Sequence, residues 1–192
     1  MNNFFDKIYC INLDRRPDRW QRCVHIFDKH DLKVERFSAI DGNNSNIHSI
    51  NKNLLPGEIG VYYSHYFCLN DARKNNHNKI LILEDDIEFI DDITTKFKEL
   101  TIPEDWQMLY LGANKSRYKL IDLSDNDKIK RIYNGVCAHA VGFNRLAINY
   151  VCDYIEKYGC MTQIDELYKI IQEIFIAYIA IPHLAYQRES WS

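Results

Sequence analysis

The stretch "ILILEDDIEF" at residues 80–89 places three carboxylates, Glu84, Asp85 and Asp86, directly after four apolar residues. Carboxylates are rarely tolerated at a buried strand end unless they are paired or bind a metal ion. In an extended segment Glu84 and Asp86 point to one face and Asp85 to the other, so Glu84 and Asp86 are candidates to hold one hard cation. A solvated turn, or a helix N-cap for the following segment, is the alternative that this stretch leaves open.

A second charged segment, "NLDRRPDR" at residues 12–19, places Arg15, Arg16 and Arg19 around an expected strand-to-helix turn. Guanidinium groups next to helix N-terminal amides are a suitable receptor for phosphates. The alternative is a surface cluster in which the arginines pair with Asp14 and Asp18. Because a cation and these arginines together would neutralise a diphosphate, the combination indicates a sugar nucleotide as ligand.

The elements that must position these groups follow from the apolar periodicity. Strands are expected at 7–13, 34–42, 79–86, 105–112 and 138–144, and a last strand at 175–182. Helices are expected from Pro17 to near His30 and at 56–76, around 93–100, at 145–159 and at 164–171. Strands alternating with helices predict an α/β sandwich with a largely parallel sheet, which binds ligands at the carboxyl ends of its strands. The segments "NLDRR", "AIDG" and "EDD" lie at such ends.

Composition limits the functional classes. The 192 residues contain 24 Lys and Arg against 27 Asp and Glu, a net charge of -3 that gives no overall attraction to nucleic acid or an anionic membrane. No segment is long and apolar enough for a signal peptide or a membrane helix. The six cysteines form no C-x-x-C pair and are expected to be reduced, buried thiols. We therefore expect one domain, residues 1–192, in the cytoplasm, or at a membrane surface that carries the acceptor; the lumen of the endoplasmic reticulum is the weaker alternative.

Seven blocks occur in the order and approximate spacing of the glycosyltransferase family 25 domain, and the resemblance covers about residues 7–192. The blocks are "INLDRRPDRW", "RFSAIDG", "PGEIGVYYSHYFCL", "LILEDDIEF", "DWQMLYLG", "IDELY" and "PHLAYQRESWS". Members of the family include bacterial lipooligosaccharide galactosyltransferases and procollagen hydroxylysine galactosyltransferases. The resemblance implies a GT-A type nucleotide-binding fold that transfers a hexose, galactose or glucose, from a UDP-sugar with inversion. It also implies a nucleotide-binding half at about 1–112 and an acceptor-side half at about 113–192.

Site residues carry over from the resemblance position by position. Manganese, with Mg²⁺ as the alternative, is expected on Glu84 and Asp86, where it would bridge two phosphates and offset the charge of the leaving UDP. Contacts to the nucleotide sugar are expected from Asn12, Asp14, Arg15, Arg16, Arg19, Asp41, Glu58, Ser64, His65 and Asp85. Gly42 is expected to help shape the pocket. Ser64 and His65 have an alternative role, because they could satisfy each other or the backbone inside a packed helix.

An inverting transfer needs one general base to take the proton of the acceptor hydroxyl. The block "QIDEL" offers Asp165, with Glu166 in reserve, although a carboxylate at a helix N-terminus is also favoured by the helix dipole alone. His139, His183 and Gln187 are candidates to complete the metal sphere, or they are ordinary strand-end residues.

Three functions remain in competition on the sequence. The first is a metal-dependent transferase that acts on a glycan, a lipid-linked glycan or a hydroxylysine-type protein acceptor. The second is a catalytically silent binding or adhesion module of the same fold. The third, a Mg²⁺-dependent phosphohydrolase, is weaker because the sequence has no second acidic cluster to support a two-metal site. The chain ends where the last family block would continue, which is expected for a minimal transferase or for one domain of a longer protein. Motifs fix neither the donor sugar, the acceptor nor the oligomeric state.

Overall fold

Strands and helices alternate through the first half of the chain in the computed structural model, which describes residues 1–43, 47–114, 118–123 and 126–188. The end of the last block, 189–192, lies outside these residues. The strands are β1 (Lys7–Asn12), β2 (Glu35–Ser38), β3 (Lys79–Glu84), β4 (Ile87–Phe89), β5 (Met108–Tyr110), β6 (Lys119–Leu123), β7 (Asn126–Tyr133), β8 (Ala140–Asn144), β9 (Ala177–Ala180) and β10 (Ala185–Gln187). The helices are α1 (Pro17–Lys29), α2 (Pro56–Lys74), α3 (Ile93–Lys98), α4 (Arg145–Tyr158) and α5 (Ile164–Ile171).

Eight of the strands form one sheet in the order β2-β1-β3-β8-β5-β9-β7-β6, and β4 pairs with β10 in a separate two-stranded sheet. In the large sheet β1, β2, β3, β5, β6 and β9 run in one direction, and only β7 and β8 run in the other. The predicted α/β sandwich with a mostly parallel central sheet is confirmed. Because β8 lies between β3 and β5, the sheet interleaves the two halves of the sequence.

The central strands of the sheet are buried on both faces, as their continuous apolar runs predict. Alternate residues of β3 enter different cores: Ile80 and Ile82 pack with α2, α4 and α5, whereas Leu81 and Leu83 pack with α1 and α3. The four apolar residues of this strand have no solvent-facing side, so Glu84, which follows them, marks the point where the strand leaves the core.

The three charged segments meet at one edge of the sheet because β1, β2 and β3 are parallel neighbours. Asn12 ends β1, Ser38 ends β2 and Glu84 ends β3. Pro17 then begins α1, since its fixed backbone angle suits a first helical turn and its missing N–H has no helical partner there. The predicted grouping of charges at carboxyl strand ends is therefore present.

Two parts of the fold differ from the sequence prediction. The strand expected at 175–182 is β9, but it is not the last one, because β10 follows it and pairs with β4. The β6–β7 hairpin was not predicted, since β6 is the edge strand of the sheet and its first four residues are exposed, which leaves little apolar pattern to read. Among the described residues, no helix is both long and apolar enough to cross a membrane.

Candidate active site

One cleft lies at the carboxyl ends of β1, β2 and β3. It consists of two adjoining cavities, of about 380 Å³ beside β2 and about 590 Å³ beside α5. Both cavities are lined by Leu13, Arg15, Arg19, Gly57, Val61, Glu84 and Gln187. The predicted acidic strand end and the predicted basic turn therefore face the same space.

Asp85, the middle carboxylate, is committed to protein partners. Its Oδ1 accepts from Nη1 of Arg19 at 2.8 Å, and its Oδ2 accepts from Nδ2 of Asn12 at 2.7 Å. Asn12 is itself almost fully buried, and its Oδ1 accepts two hydrogen bonds from Arg36. Asn12, Arg19 and Asp85 thus form a fixed floor that joins β1, α1 and β3 beneath the cleft.

Glu84 reaches the cleft with a side chain that is about 20% exposed, and it is held from behind by His65. Nε2 of the fully buried His65 lies 3.2 Å from Oε1 of Glu84. Burial works to raise the pKa of Glu84, but the hydrogen bond and charge interaction with His65 outweigh it, and the pKa is lowered. Glu84 is therefore an ionised carboxylate at neutral pH.

Asp86 lines the smaller cavity of the cleft. Its Oδ2 accepts from Nε2 of Gln187 at 3.0 Å, and its backbone carbonyl accepts from the N–H of Arg188 at 2.8 Å, so β10 fixes it from the side. Burial and then the negative charge of Glu84 raise the pKa of Asp86, against the hydrogen bond from Gln187. Two carboxylates that repel each other in one cavity, Asp86 buried and Glu84 partly buried, are a place where a cation would lower the free energy.

The arginines of the basic turn form ion pairs with neighbouring aspartates. Nε of Arg15 lies 2.9 Å from Oδ2 of Asp41, and this contact is the main reason why the pKa of Asp41 is lowered. Arg16 makes a two-pronged pair with Asp18, at 2.9 and 2.7 Å. The alternative pairing predicted for the arginines is thus present for Arg16, although Arg16 also lines the cavity beside α5.

Asp14 lies outside the lining of both cavities as the structure describes them. Its Oδ2 accepts from the Ser38 hydroxyl at 2.7 Å, and its Oδ1 lies 3.1 Å from Nη2 of Arg36. Asp14 therefore links the loop after β1 to the end of β2.

The turn at Asp41 and Gly42 rests on the first residues of α2. A Cβ at Gly42 would lie 1.7 Å from the carbonyl oxygen of Pro56, so only glycine permits this approach. Further along α2, the Ser64 hydroxyl donates to Gly60 at 2.6 Å and accepts from the N–H of Ile40 at 2.8 Å. Ser64 is fully buried and satisfies the backbone, which is the alternative role predicted for it.

The N-terminus of α2 and the start of α5 form the wall of the larger cavity. Oε2 of Glu58 accepts from the N–H of Leu55 at 2.8 Å, and its Oε1 accepts from Gln163. Asp165, in the first turn of α5, lines this cavity. Burial, and then the charges of Glu166 and Glu84, raise the pKa of Asp165, which is what a general base needs to work near neutral pH. Glu166, the reserve candidate, pairs instead with Lys169 at 3.0 Å.

The other candidate metal ligands, Gln187, His139 and His183, differ in whether they line the cleft. Gln187 lines both cavities. Nδ1 of His139 lies 2.9 Å from Sγ of Cys137, which lines the larger cavity. Nε2 of His183 lies 3.0 Å from the hydroxyl of Tyr118. Within the described part of the chain, no group of three or more His, Cys, Asp or Glu side chains is arranged to hold a metal ion.

Three site residues were not predicted from the sequence. Arg36 holds both Asn12 and Asp14, and its position two residues before Ser38 on β2 could have signalled that it shares the face of the site. Cys137 and Tyr168 sit in apolar patterns that indicate core, so no signal in the sequence distinguishes them.

The chain resembles known proteins in sequence and in fold. Residues 5–151 match the sequence profile of "Glycosyltransferase family 25 (LPS biosynthesis protein)". Human "Procollagen galactosyltransferase 2" is 30% identical over 60% of this chain and 22% of its own length. A "Glycosyltransferase 25 family member" of Aedes aegypti is 32% identical over 56% of this chain and 21% of its own. Human "Inactive glycosyltransferase 25 family member 3" is 27% identical over 58% and 22%.

The chain therefore spans about a fifth of the length of the curated relatives that it matches. Among solved structures, A197 from STIV is 13% identical and superposes with a TM-score of 0.53 over 96% of this chain and 86% of its own. That likeness shows a shared fold.

Proposed function

This chain belongs to glycosyltransferase family 25, and on that premise we propose that it is an inverting, metal-dependent hexosyltransferase with a UDP-sugar donor. Galactose is the hexose we favour, with glucose as the alternative, and the acceptor is a glycan, a lipid-linked glycan or a hydroxylysine-type protein. One observation carries the proposal: an acidic strand end, an arginine turn and a carboxylate of raised pKa line a single cleft.

The donor would lie in the smaller cavity, over the carboxyl ends of β1 and β2. Arg15 is more than half exposed at its rim, and its pairing with Asp41 is an exposed contact that a phosphate can replace at little cost. Arg19 is mostly buried and already paired with Asp85. We therefore assign phosphate contact chiefly to Arg15, with Arg16 beside it, and a positioning role to Arg19, Asn12 and Asp85.

The residues at the end of β3 fit a hard divalent cation, Mn²⁺ or Mg²⁺. Glu84 and Asp86 offer carboxylate oxygens, and the mutual repulsion that raises the pKa of Asp86 is what such an ion would relieve. Two carboxylates are enough for an ion of this class when substrate phosphates and water supply its other ligands. When bound, the ion would offset negative charge on the departing diphosphate.

The acceptor would enter the larger cavity, where Asp165 is the candidate general base. Its carboxylate would take the proton of the acceptor hydroxyl as that oxygen attacks the sugar carbon. Glu58 and Gln163, tied to each other and to the N-terminus of α2, would hold the start of α5 in place.

We place the protein in a reducing compartment, the cytoplasm, because all six of its cysteines are free and five of them are buried.

The test is an assay for UDP release. The purified chain is incubated with Mn²⁺ and UDP-galactose or UDP-glucose, with and without a panel of glycan and hydroxylysine-peptide acceptors. Release of UDP that requires an acceptor, together with an acceptor that gains the mass of one hexose, would support the transferase. UDP release at the same rate without acceptor would indicate a hydrolase. Binding of donor without any release would indicate the silent module, a state that one relative's name records.

A further inference from the structure

A chain of buried side chains runs from α5 through α2 to the end of β3. The Tyr168 hydroxyl lies 3.0 Å from Nδ1 of His65, and Nε2 of His65 lies 3.2 Å from Oε1 of Glu84. Tyr168 and His65 are both fully buried. Neither residue lines the two cavities as the structure describes them, so neither is placed to touch a ligand in the cleft.

The direction of the hydrogen bonds follows from the last member of the chain. A carboxylate that binds a cation can only accept a hydrogen bond, so Nε2 of His65, 3.2 Å from Oε1 of Glu84, must carry the hydrogen. Nδ1 accepts from the Tyr168 hydroxyl when the ring is neutral and donates to the hydroxyl oxygen when the ring is protonated, so Tyr168 holds the ring in either form. Each hydrogen bond thus fixes the next one, and the outcome is that one oxygen of Glu84 is held while its side chain reaches the cleft.

We infer that His65 and Tyr168 are positioning residues, which act on the donor end of the site only by orienting the carboxylate of Glu84. This inference rests on the proposed function. It assigns His65 to the support of a cation ligand, in place of the contact with the nucleotide sugar that the sequence predicts.

The same helix then serves both ends of the reaction. Asp165 and Tyr168 are three residues apart on α5, and only Asp165 lines the cleft. A fixed α5 therefore holds the candidate base directly, and it holds Glu84 through Tyr168 and His65. The distance between the carboxylates of Asp165 and Glu84 is then fixed. An inverting transfer needs such a spacing because the acceptor must attack opposite the leaving phosphate.

The experiment measures the affinity of Mn²⁺ in the presence of UDP, by the electron paramagnetic resonance signal of free Mn²⁺, for four variants of the whole chain. His65→Leu removes the donor to Glu84, and His65→Gln places an amide donor near the position of Nε2. Tyr168→Phe removes only the hydroxyl. Tyr62→Phe is the matched control, since the buried Tyr62 hydroxyl donates to the carbonyl of Gly159, which follows α4, and not to His65 or Glu84. Thermal melting is recorded for all four.

A hydrogen bond to a charged group corresponds to about a tenfold change in affinity or more, so His65→Leu should weaken Mn²⁺ binding about tenfold. His65→Gln should restore most of it, and Tyr168→Phe should weaken it about threefold, as expected for a neutral hydrogen bond one step removed. Tyr62→Phe should leave it unchanged.

Equal losses for His65→Leu and His65→Gln, or losses that follow the melting temperature across all variants including Tyr62→Phe, would overturn the inference and leave the proposed function intact. So would an unchanged affinity in Tyr168→Phe, which also decides the question if His65→Leu does not fold. Absence of Mn²⁺ and UDP binding by the unmodified chain would overturn the proposed function, and the inference with it.

Discussion

Arg19 and Asp85 form an ion pair in which Nη1 lies 2.8 Å from Oδ1, and it joins the first turn of α1 to the residue that follows β3. The side chains are only 17% and 11% exposed. Because Asp85 also accepts a hydrogen bond from Asn12, both oxygens of the middle carboxylate of the acidic triplet have partners within the protein. Glu84 and Asp86, which are held by His65 and Gln187, are the two carboxylates that we propose as cation ligands.

Removing Arg19 should destabilise the protein. Arg19→Ala leaves Asp85 with one hydrogen-bond donor fewer in a buried place, and we expect the free energy of unfolding to fall by about 2 kcal/mol. Urea denaturation measures this. Arg15→Ala is the matched control, because the Arg15–Asp41 pair is exposed, and its loss should be much smaller. The ranking should reverse for UDP affinity, which Arg15→Ala should weaken more than Arg19→Ala does. Equal stability losses would contradict the assigned roles.

Asp86→Asn should separate cation binding from folding. Since the folded state raises the pKa of Asp86, ionisation of this group costs stability. The cost is absent below the ordinary aspartate pKa and grows as pH rises through the raised value. In EDTA at neutral pH the variant should therefore be at least as stable as the parent chain. Mn²⁺ with UDP should raise the melting temperature of the parent but not of Asp86→Asn. An equal rise in both would exclude Asp86 as a ligand.

Asp165→Asn should abolish transfer and keep donor binding. Loss of a general base lowers kcat by about 10²–10⁴-fold, while the smaller cavity does not include this residue. Because the pKa of Asp165 is raised, kcat/KM of the parent should fall on the acid side at a higher pH than an ordinary aspartate would give. Glu166→Gln is the control, and its pH profile should match the parent's. An unchanged acid limb in Asp165→Asn, with residual activity, would assign the base elsewhere.

Gly42→Ala should disturb the donor pocket through the backbone. Its Cβ would meet the Pro56 carbonyl oxygen at 1.7 Å, so the turn must move off α2. We expect a stability loss of about 1–3 kcal/mol and weaker UDP binding. Gly57→Ala is the stability control, since a Cβ there meets nothing within 4 Å. Its free energy of unfolding should change by less than about 0.5 kcal/mol. A fully stable Gly42→Ala would contradict the close approach.

The sequence was most informative where one pattern had one physical cause. The apolar run before Glu84 predicts a strand buried on both faces, and β3 is one. Pro17 and Pro56 predict helix starts, and both lie at the first residue of their helices. Parallel neighbours then bring three strand ends together without further information.

The rest depends on partners that are distant along the chain. Glu84, Asp85 and Asp86 look equivalent in sequence, yet each is held by a different element: His65 of α2, Arg19 of α1 and Gln187 of β10. The alternation of side chains between the two faces of a strand separates Asp85 from Glu84 and Asp86, but it does not identify these partners. Tyr168 lies in an apolar stripe, and its hydroxyl meets its partner His65 only after α5 has packed on α2.

The most direct test of the central claim is calorimetric titration of UDP, and then of UDP-galactose and UDP-glucose, into the purified chain with Mn²⁺ and with EDTA. The account predicts binding that requires Mn²⁺, prefers one sugar and is lost in Asp86→Asn. Absence of UDP binding under both conditions would contradict it.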